Sequence, residues 1–561
     1  MHNKYRIDYS QIGFLFRIFW SLIFLMFGQK ISFSQTEAAN IEQKYSLETD
    51  VLNLNPQTPI GSTSSIATGV EEDSFGIPLP IFVVTRKEIE RSGVKSIAEA
   101  LRLVPGCFVS ERTKSNYDVH LTHSTYLHTG AEDYVNFEGR SAIVLVDEIP
   151  VLQRMDNGIW FEMLPNIQSI EQIEVILSPM SAIHGQASGG GIINIVTRKL
   201  SYEKFHIIGD FNSDQTYSRS ASIFGESVLS TTLSVKGNVD YGITQRDYDK
   251  ISFFAFQREI PNDSLKVYIP EMAAAYPDMD LAQRYAKFSL SFNYNPNRDF
   301  DMKLRGGYVE TSAQSNFQDL VVLFMMQRQS KMGNVDLKLR WKKWHFYSKM
   351  KTGTLNYSYG FKGTMLASLD YQNKIERSFE FKSLKLRAGG FYNYSSVNNR
   401  IDDKNAVING IDATDTKFPN YGSYLHFDAN PNEKLRILGA VSYEYFPDLE
   451  RNIFAYNVGI GYKILPQTLL RLSTAQSYFS PSFERFTQLD KADYTKLYNL
   501  SLKPVLANQY EFGVRTQSSG LFNIDLSVFF REINQLQQGD SYDLANGFSN
   551  IEPEIYSTGT T

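Results

Sequence analysis

Beyond Lys199 the chain alternates. In YAKFSLSFNY (285–294), Phe288, Leu290, Phe292 and Tyr294 fall on one side of an extended backbone, and Lys287, Ser289, Ser291 and Asn293 fall on the other. In FAYNVGIGY (454–462), Phe454, Tyr456, Val458, Ile460 and Tyr462 oppose Ala455, Asn457, Gly459 and Gly461. KLRILGAVSYEY (434–445) and NIDLSVFF (523–530) repeat the pattern. Successive side chains on a strand point to opposite faces, so a period of two reads as a strand with one apolar face. A run of such strands makes either a large sandwich or a barrel. The 33 Tyr and 39 Phe, against 4 Trp, suit both.

The connections separate the two. Short, turn-like joints occur at NPNRD (295–299), NPNEK (430–434), LPQ (465–467) and SSG (518–520). Long polar loops are expected between them, over 245–283, 313–331, 399–419 and 479–504. A sandwich has no reason to keep every second connection short, whereas a transmembrane barrel has tight turns at one rim and long loops at the other. Strands of about 10 residues match a tilted crossing of the bilayer. The expected fold class is therefore a transmembrane β-barrel.

The N-terminus points the same way. Lys4 and Arg6 precede an apolar run from Ile12 to Gly28, and small Ser32 and Ser34 lie just before Gln35. This is the layout of a secretory signal peptide over 1–34. An uncleaved anchor is the alternative. No other stretch approaches the ~20 apolar residues of a membrane helix. Residues 35–76 are polar and read as a mobile segment.

Between 77 and 199 the texture is mixed α/β. IFVV (81–84) reads as a strand. Thr85 with Glu88 forms a capping box and Gly93 ends that helix; Ser96 with Glu99 repeats the device. AIVLVD (142–147), IEQIEVIL (170–177) and IINIVTRK (192–199) read as buried strands. Gly189, Gly190 and Gly191 precede the last of these as a hinge that lets backbone pass close to its neighbours.

No enzymatic constellation is present: no phosphate loop ending in Lys-Ser/Thr, no HExxH and no Gly-x-Ser-x-Gly. Cys107 is the one cysteine, which excludes an internal disulfide and a cysteine-rich metal site. A net charge of −5 with interspersed signs gives no basic surface for nucleic acid. No cofactor is expected. His120, His123 and His128 cluster in VHLTHSTYLHTG; they form a solvated polar loop or contact a ligand.

The plug-like stretch before a large barrel resembles a TonB-dependent outer-membrane receptor. PLPIFVVTRKEIERSGVKSIAEALRLVPG (78–106), AIVLVDEIP (142–150) and IEQIEVILSPMSAIHGQASGGGIINIVTRK (170–199) are similar to that family's plug. SPSFERF (480–486) and NLSLKPVLANQYEFGVRTQ (499–517) are similar to late segments of its barrel. The resemblance implies a plug (77–199) inside a barrel (200–561) in the outer membrane. It implies active import of a ferric siderophore, cobalamin or haem complex, with a TonB complex as partner. SLETDVLNL (46–54) is one candidate for the TonB-pairing stretch, with Glu48, Thr49, Asp50, Val51 and Leu52 at its centre; SIATGVEE (65–72) is a second, and plain linker is the alternative for both. A passive channel, a surface adhesin and a nonfunctional remnant are the competing readings.

The sequence departs from the family at Glu138, at Glu148 and at Leu177-Ser178 before Pro179, where Arg or Gly is usual. That puts the arginines' role in signalling occupancy in doubt. About 15 strands are counted, against roughly 22 in the family's plugged barrels, and 549–561 resembles the start of a sixteenth. A chain that stops short of its full barrel is expected, or else a smaller complete one.

Overall fold

The computed structural model describes residues 62–560 except 70, 114, 122–141, 152–159, 186–189, 199–204, 214–217, 246–280, 319–322, 360–361, 400–415, 448–449, 480–504, 518–522 and 538–554. Up to Thr197 these residues carry nine strands: β1 (Thr63–Ser64), β2 (Glu72–Asp73), β3 (Ile81–Thr85), β4 (Cys107–Thr113), β5 (Asn116–Leu121), β6 (Ile143–Val146), β7 (Ile149–Pro150), β8 (Ile170–Ile176) and β9 (Ile192–Thr197). Five form one sheet in the order β3-β8-β9-β6-β7, with β6 and β9 parallel and the other pairs antiparallel. All four residues of β6 are buried, as an uninterrupted apolar run in a central parallel strand requires.

Helix α1 (Arg86–Ser92) begins with the full capping box. The Thr85 amide donates to Glu88 Oε2 at 2.7 Å, the Thr85 hydroxyl accepts from the Glu88 amide, and Gly93 closes the helix at φ 68°. Helix α2 (Ile97–Leu101) takes only half of the device. Ser96 caps the Glu99 amide at 3.1 Å, but the Glu99 carboxylate accepts instead from the Lys95 amide at 2.8 Å. The inner faces of both helices pack on β8 and β9, burying Ile89, Leu101, Ile173, Val175, Ile193 and Ile195 together.

The remaining sixteen strands form one antiparallel sheet in strict chain order, from Phe205–Ser213 to Ile555–Thr560. The alternation sets its two faces. Phe454, Ile460 and Tyr462 are 38–53 % exposed, whereas Ala455 and Asn457 are about 1 % exposed beneath the plug. Outward aromatics gather near the tight turns, with Trp341, Trp344, Phe379 and Phe381 at that rim, and Tyr421, Tyr443, Phe454 and Tyr510 lie nearer the other. Aliphatic Val335, Ile375, Leu472 and Val528 lie exposed on the outward face. This is the outward pattern of a membrane barrel.

Two expectations change. The stretch 313–331 is not a loop: strands Phe300–Gln318 and Leu323–Trp341 pair in register up to Gln318 opposite Leu323. Several strands run 19 residues, about 60 Å at ~3.4 Å per residue. Polar residues there extend the hydrogen-bonded ladder past the ~30 Å hydrocarbon layer, so polarity alone did not mark the loop. Residues 62–76, assigned to the mobile segment, are also folded. Ile66, Ala67 and Phe75 are buried, and the first two share a cluster with Ile77, Leu79, Met180 and Leu438 of the sheet. The rest of the plug supplies most of the apolar surface that this polar stretch lacks by itself, and the barrel wall adds Leu438.

Candidate functional site

The plug and the inner face of the sheet meet mainly through polar side chains. At the β6–β7 hairpin, Asp147 and Glu148 both take left-handed backbone, at φ 52° and 67°. That turn favours glycine or asparagine, so the glutamate at 148 is held there by its partners. The Glu148 amide donates to Asn194 Oδ1 at 2.9 Å. Its carboxylate accepts from the Ser65 hydroxyl at 2.7 Å and pairs with Lys338 of the sheet at 3.2 Å. The departure at 148 thus ties the hairpin both to the wall and to the N-terminal segment.

Asp147 is the centre of a larger cluster. It accepts from the Thr197 amide and hydroxyl at 2.9 and 3.0 Å and lies 3.4 Å from Lys303 and 3.5 Å from Arg305. Burial alone would raise its pKa, but Lys303, Lys236 and Arg305 outweigh it and hold the carboxyl well below the usual range. Glu148 is lowered too, with Lys338 and Ser65 overcoming burial. Glu174 goes the other way, because burial exceeds the help of Asn194 and Gln172.

On the opposite side, arginines of the sheet hold plug backbone. Arg515 donates to the carbonyls of Ser74 at 2.7 Å and Leu79 at 3.1 Å, with Phe75, Ile77 and Ile81 at 3.3–3.5 Å. Arg436 bridges Glu72 at 2.8 Å and Asp428 at 2.9 Å. Arg531 reaches the Gly190 carbonyl at 3.4 Å. Two histidines cover the turn at 66–67: His184 Nε2 is 3.2 Å from the Ile66 carbonyl and His426 Nε2 is 3.3 Å from that of Ala67. Burial, then nearby Lys374, lowers the pKa of His184 to about 4, so it is neutral at pH 7.

The sequence-derived candidates fare unevenly. His120 sits on β5 opposite Phe108; His123 and His128 lie outside the described residues. Among the described residues no group of His, Cys, Asp and Glu could hold a metal. Glu48, Thr49, Asp50, Val51 and Leu52 also lie outside the described residues, as does Glu138. The second pairing candidate, 65–72, is folded, with Ser64 and Glu72 paired across it. Gly189 is outside the description. Gly191, at φ 144°, passes so close to the Ile176 carbonyl and the Leu121 side chain that a Cβ would collide with both. It serves close packing, and its own carbonyl accepts from the Ile143 amide at 3.2 Å. The lone Cys107 is half-buried, and the partial loss of water around it pushes its thiol up to about 12. Arg515, Arg436 and Lys338 were missed. Alternation could have found them: with Tyr510, Phe512 and Val514 on one face, Glu511, Gly513 and Arg515 fall on the other.

The family model "TonB dependent receptor-like, beta-barrel" matches residues 210–560, and "TonB-dependent Receptor Plug Domain" matches 73–192. The chain belongs to the TonB-dependent receptor family. This is a family of receptors and not of enzymes. The iron-regulated outer membrane virulence protein of Vibrio cholerae is 27% identical over 267 residues, covering 45% of this chain and 34% of that protein. The receptor therefore spans about a third of that relative's length. The vitamin B12 transporter of Vibrio vulnificus is 21% identical over 470 residues, covering 81% and 67%. Among solved structures, the siderophore receptor PirA from Pseudomonas aeruginosa superposes with a TM-score of 0.59 at 13% identity, covering 86% of this chain and 80% of that one. The ferric enterobactin receptor of the same organism gives 0.60 at 12%, covering 83% and 72%. These structures share the receptor's fold.

Proposed function

We propose that the receptor imports a scarce nutrient complex across the outer membrane, using energy delivered by a TonB complex to its N-terminal segment. The ligand class is a ferric siderophore, cobalamin or haem. Residues 1–34 direct export. The observation that carries the reading is a folded plug joined to the inner face of the barrel chiefly by hydrogen bonds and ion pairs. Such contacts exchange for water when the plug shifts, at modest net cost per bond. The plug's burial against the wall also disfavours a passive channel, whose lumen must stay open. The named relatives, an iron-regulated protein and a vitamin B12 transporter, favour metal-chelate solutes.

The test is growth of a receptor-deleted strain, complemented with the full-length gene, on a panel of ferric siderophores, haemin and cobalamin as sole sources. Growth on one or more that disappears when TonB is removed supports the proposal. Growth that persists without TonB supports a channel, and surface binding without growth supports an adhesin.

A further inference from the structure

One charged side chain stands on the outward face of the barrel close to the rim that carries turns 295–299, 342–343, 381–383, 430–434 and 465–467. Among the described residues, the outward positions within five strand residues of that rim are uncharged except at Arg377. Register sets its place: Trp341, Trp344, Arg377 and Ala388 follow one another across four neighbouring strands. The Arg377 guanidinium lies 5.2 Å from the Trp344 ring and 5.2 Å from the Phe379 ring. It has no carboxylate or hydrogen-bond partner among the described residues. The adjacent Glu376 belongs to the other face, where it meets Lys374 and Tyr424. A cation facing lipid is costly at mid-membrane and nearly free at the interface. An arginine at that level, stacked on aromatics and without an acid from the protein, has its anion left to the membrane.

The turns beside it are basic. Residues 295–300, 341–344 and 377–385 carry Arg298, Lys342, Lys343, Arg377, Lys382 and Lys385 against Asp299 and Glu380. Elsewhere on this rim, 229–232 and 465–467 carry no charge and 430–434 carries one of each sign. The excess is therefore local to three neighbouring hairpins. Backbone bonds hold those hairpins together: the Lys342 amide donates to the Asp299 carbonyl at 2.6 Å and the Ser378 amide to the Lys343 carbonyl at 2.9 Å. Lys342 keeps left-handed backbone at φ 54°, a position that favours glycine. Between 296–299 and Trp341 lies an open groove of about 790 Å³, with Tyr294, Pro296 and Phe300 on its wall. Trp341, Trp344, Phe379 and Phe381 are all exposed around it.

Tight turns of such barrels face the periplasm, so this rim meets the phospholipid leaflet on that side. A guanidinium matches a phosphate with two parallel hydrogen bonds, and tryptophan rings settle at headgroup level. A zwitterionic headgroup brings its own amine towards the lysines, whereas a phosphoglycerol headgroup brings only negative charge. We propose that these three hairpins form a binding site for the headgroup of an anionic phospholipid, with its phosphate on Arg377, the neighbouring lysines adding charge, and its acyl chains along the outward aromatic and aliphatic face. The site belongs to the barrel wall and holds whichever solute the receptor imports.

The tryptophans supply the test. Of the four, Trp20 lies in the expected signal peptide, Trp160 is buried in the plug, and Trp341 and Trp344 stand at the site. The full-length receptor is reconstituted in phosphatidylcholine vesicles that contain a minor fraction of phosphatidylglycerol or of phosphatidylethanolamine with brominated acyl chains. Bromine quenches tryptophan at short range, so the ratio of quenching by the two lipids reports the headgroup preference beside Trp341 and Trp344. The expected result is preference for phosphatidylglycerol, reduced about fivefold in Arg377→Gln, the weight of one surface cation on an anionic lipid. Lys434→Gln, which removes a cation from another turn of the same rim, should leave the ratio unchanged. Equal quenching by the two lipids in the wild type overturns the proposal, as does a preference that survives in Arg377→Gln. An equal loss in Lys434→Gln also overturns it, because the attraction would then be diffuse. Lys343→Gln, in an exposed turn, should lower the ratio as well and repeats the measurement should Arg377→Gln fail to fold; an unchanged ratio there counts against the site.

Discussion

Replacing Arg515 with Met should loosen residues 74–81 without unfolding the barrel. The methionine keeps most of the side chain's length and removes the guanidinium. Two of the five carbonyl contacts, to Ser74 at 2.7 Å and Leu79 at 3.1 Å, fall within ordinary hydrogen-bond range. A hydrogen bond to a charged group contributes about 1.5–3 kcal/mol net. Counting only these two, and leaving the three longer contacts aside, gives about 3 kcal/mol as a lower figure. Asp525, the remaining partner of Arg515, is not stranded, because Arg471 stays 2.6 Å away. A loss of about 3 kcal/mol raises the opened fraction of the segment roughly a hundredfold. Amide exchange read by mass spectrometry measures this directly. The Ile77 and Ile81 amides are bonded to the Ser74 and Leu79 carbonyls, so their protection reports the segment. Protection at 74–81 should fall about a hundredfold while that of the barrel strands stays unchanged. Unchanged protection at 74–81 would refute the clamp.

Three further outcomes are expected. His184 has a folded-state pKa of about 4, below its ordinary 6.5; the unfolded form therefore binds the proton first, and anchoring of residues 66–67 should weaken as pH falls from about 6.5 towards 4. His184→Gln should flatten the pH dependence of amide exchange at 66–67 in that window, and an unaltered slope would assign it to another group. Gly191→Ala should prevent the plug from folding or cost more than about 3 kcal/mol, since it adds a clash with the Ile176 carbonyl to an unfavourable φ; a urea midpoint equal to the wild type's would contradict this. Glu148→Gly should relieve about 1 kcal/mol of left-handed strain at the hairpin, yet lose the Ser65 and Lys338 contacts. Exchange should then quicken at 65–67 and not within β6, and the opposite distribution would count against the tie.

Much of this architecture could be read in the residues, for physical reasons that differ from part to part. The barrel strands declared themselves because lipid on one side and plug on the other impose a strict period of two, as at 285–294 and 454–462. Helix α1 was legible because Thr85 and Glu88 act within one turn of each other and Gly93 ends the run two turns on. Residues 62–76 were not legible, because their order comes from partners far off in sequence: Ile143, Met180 and Ile192 of the plug, and Arg515, Arg436 and Leu438 of the sheet, these last more than 350 positions away. The stretch 313–331 misled because strands that continue beyond the membrane need no apolar face. At the interface, Glu148 was visible as a departure, but its partners Ser65 and Lys338 are joined to it only by the fold. The histidine cluster in 120–128 gained no support, since only His120 falls among the described residues.

The central claim is that a plug stoppers the barrel until its N-terminal segment is pulled. The most direct measurement is accumulation of a radiolabelled ligand, chosen from the growth panel, by cells carrying the full-length receptor with or without residues 35–61, a deletion that leaves the folded stretch from 62 onward in place. The account predicts undiminished binding at the cell surface with uptake lost, as in cells lacking TonB. Uptake that continues at the same rate without that segment would contradict it.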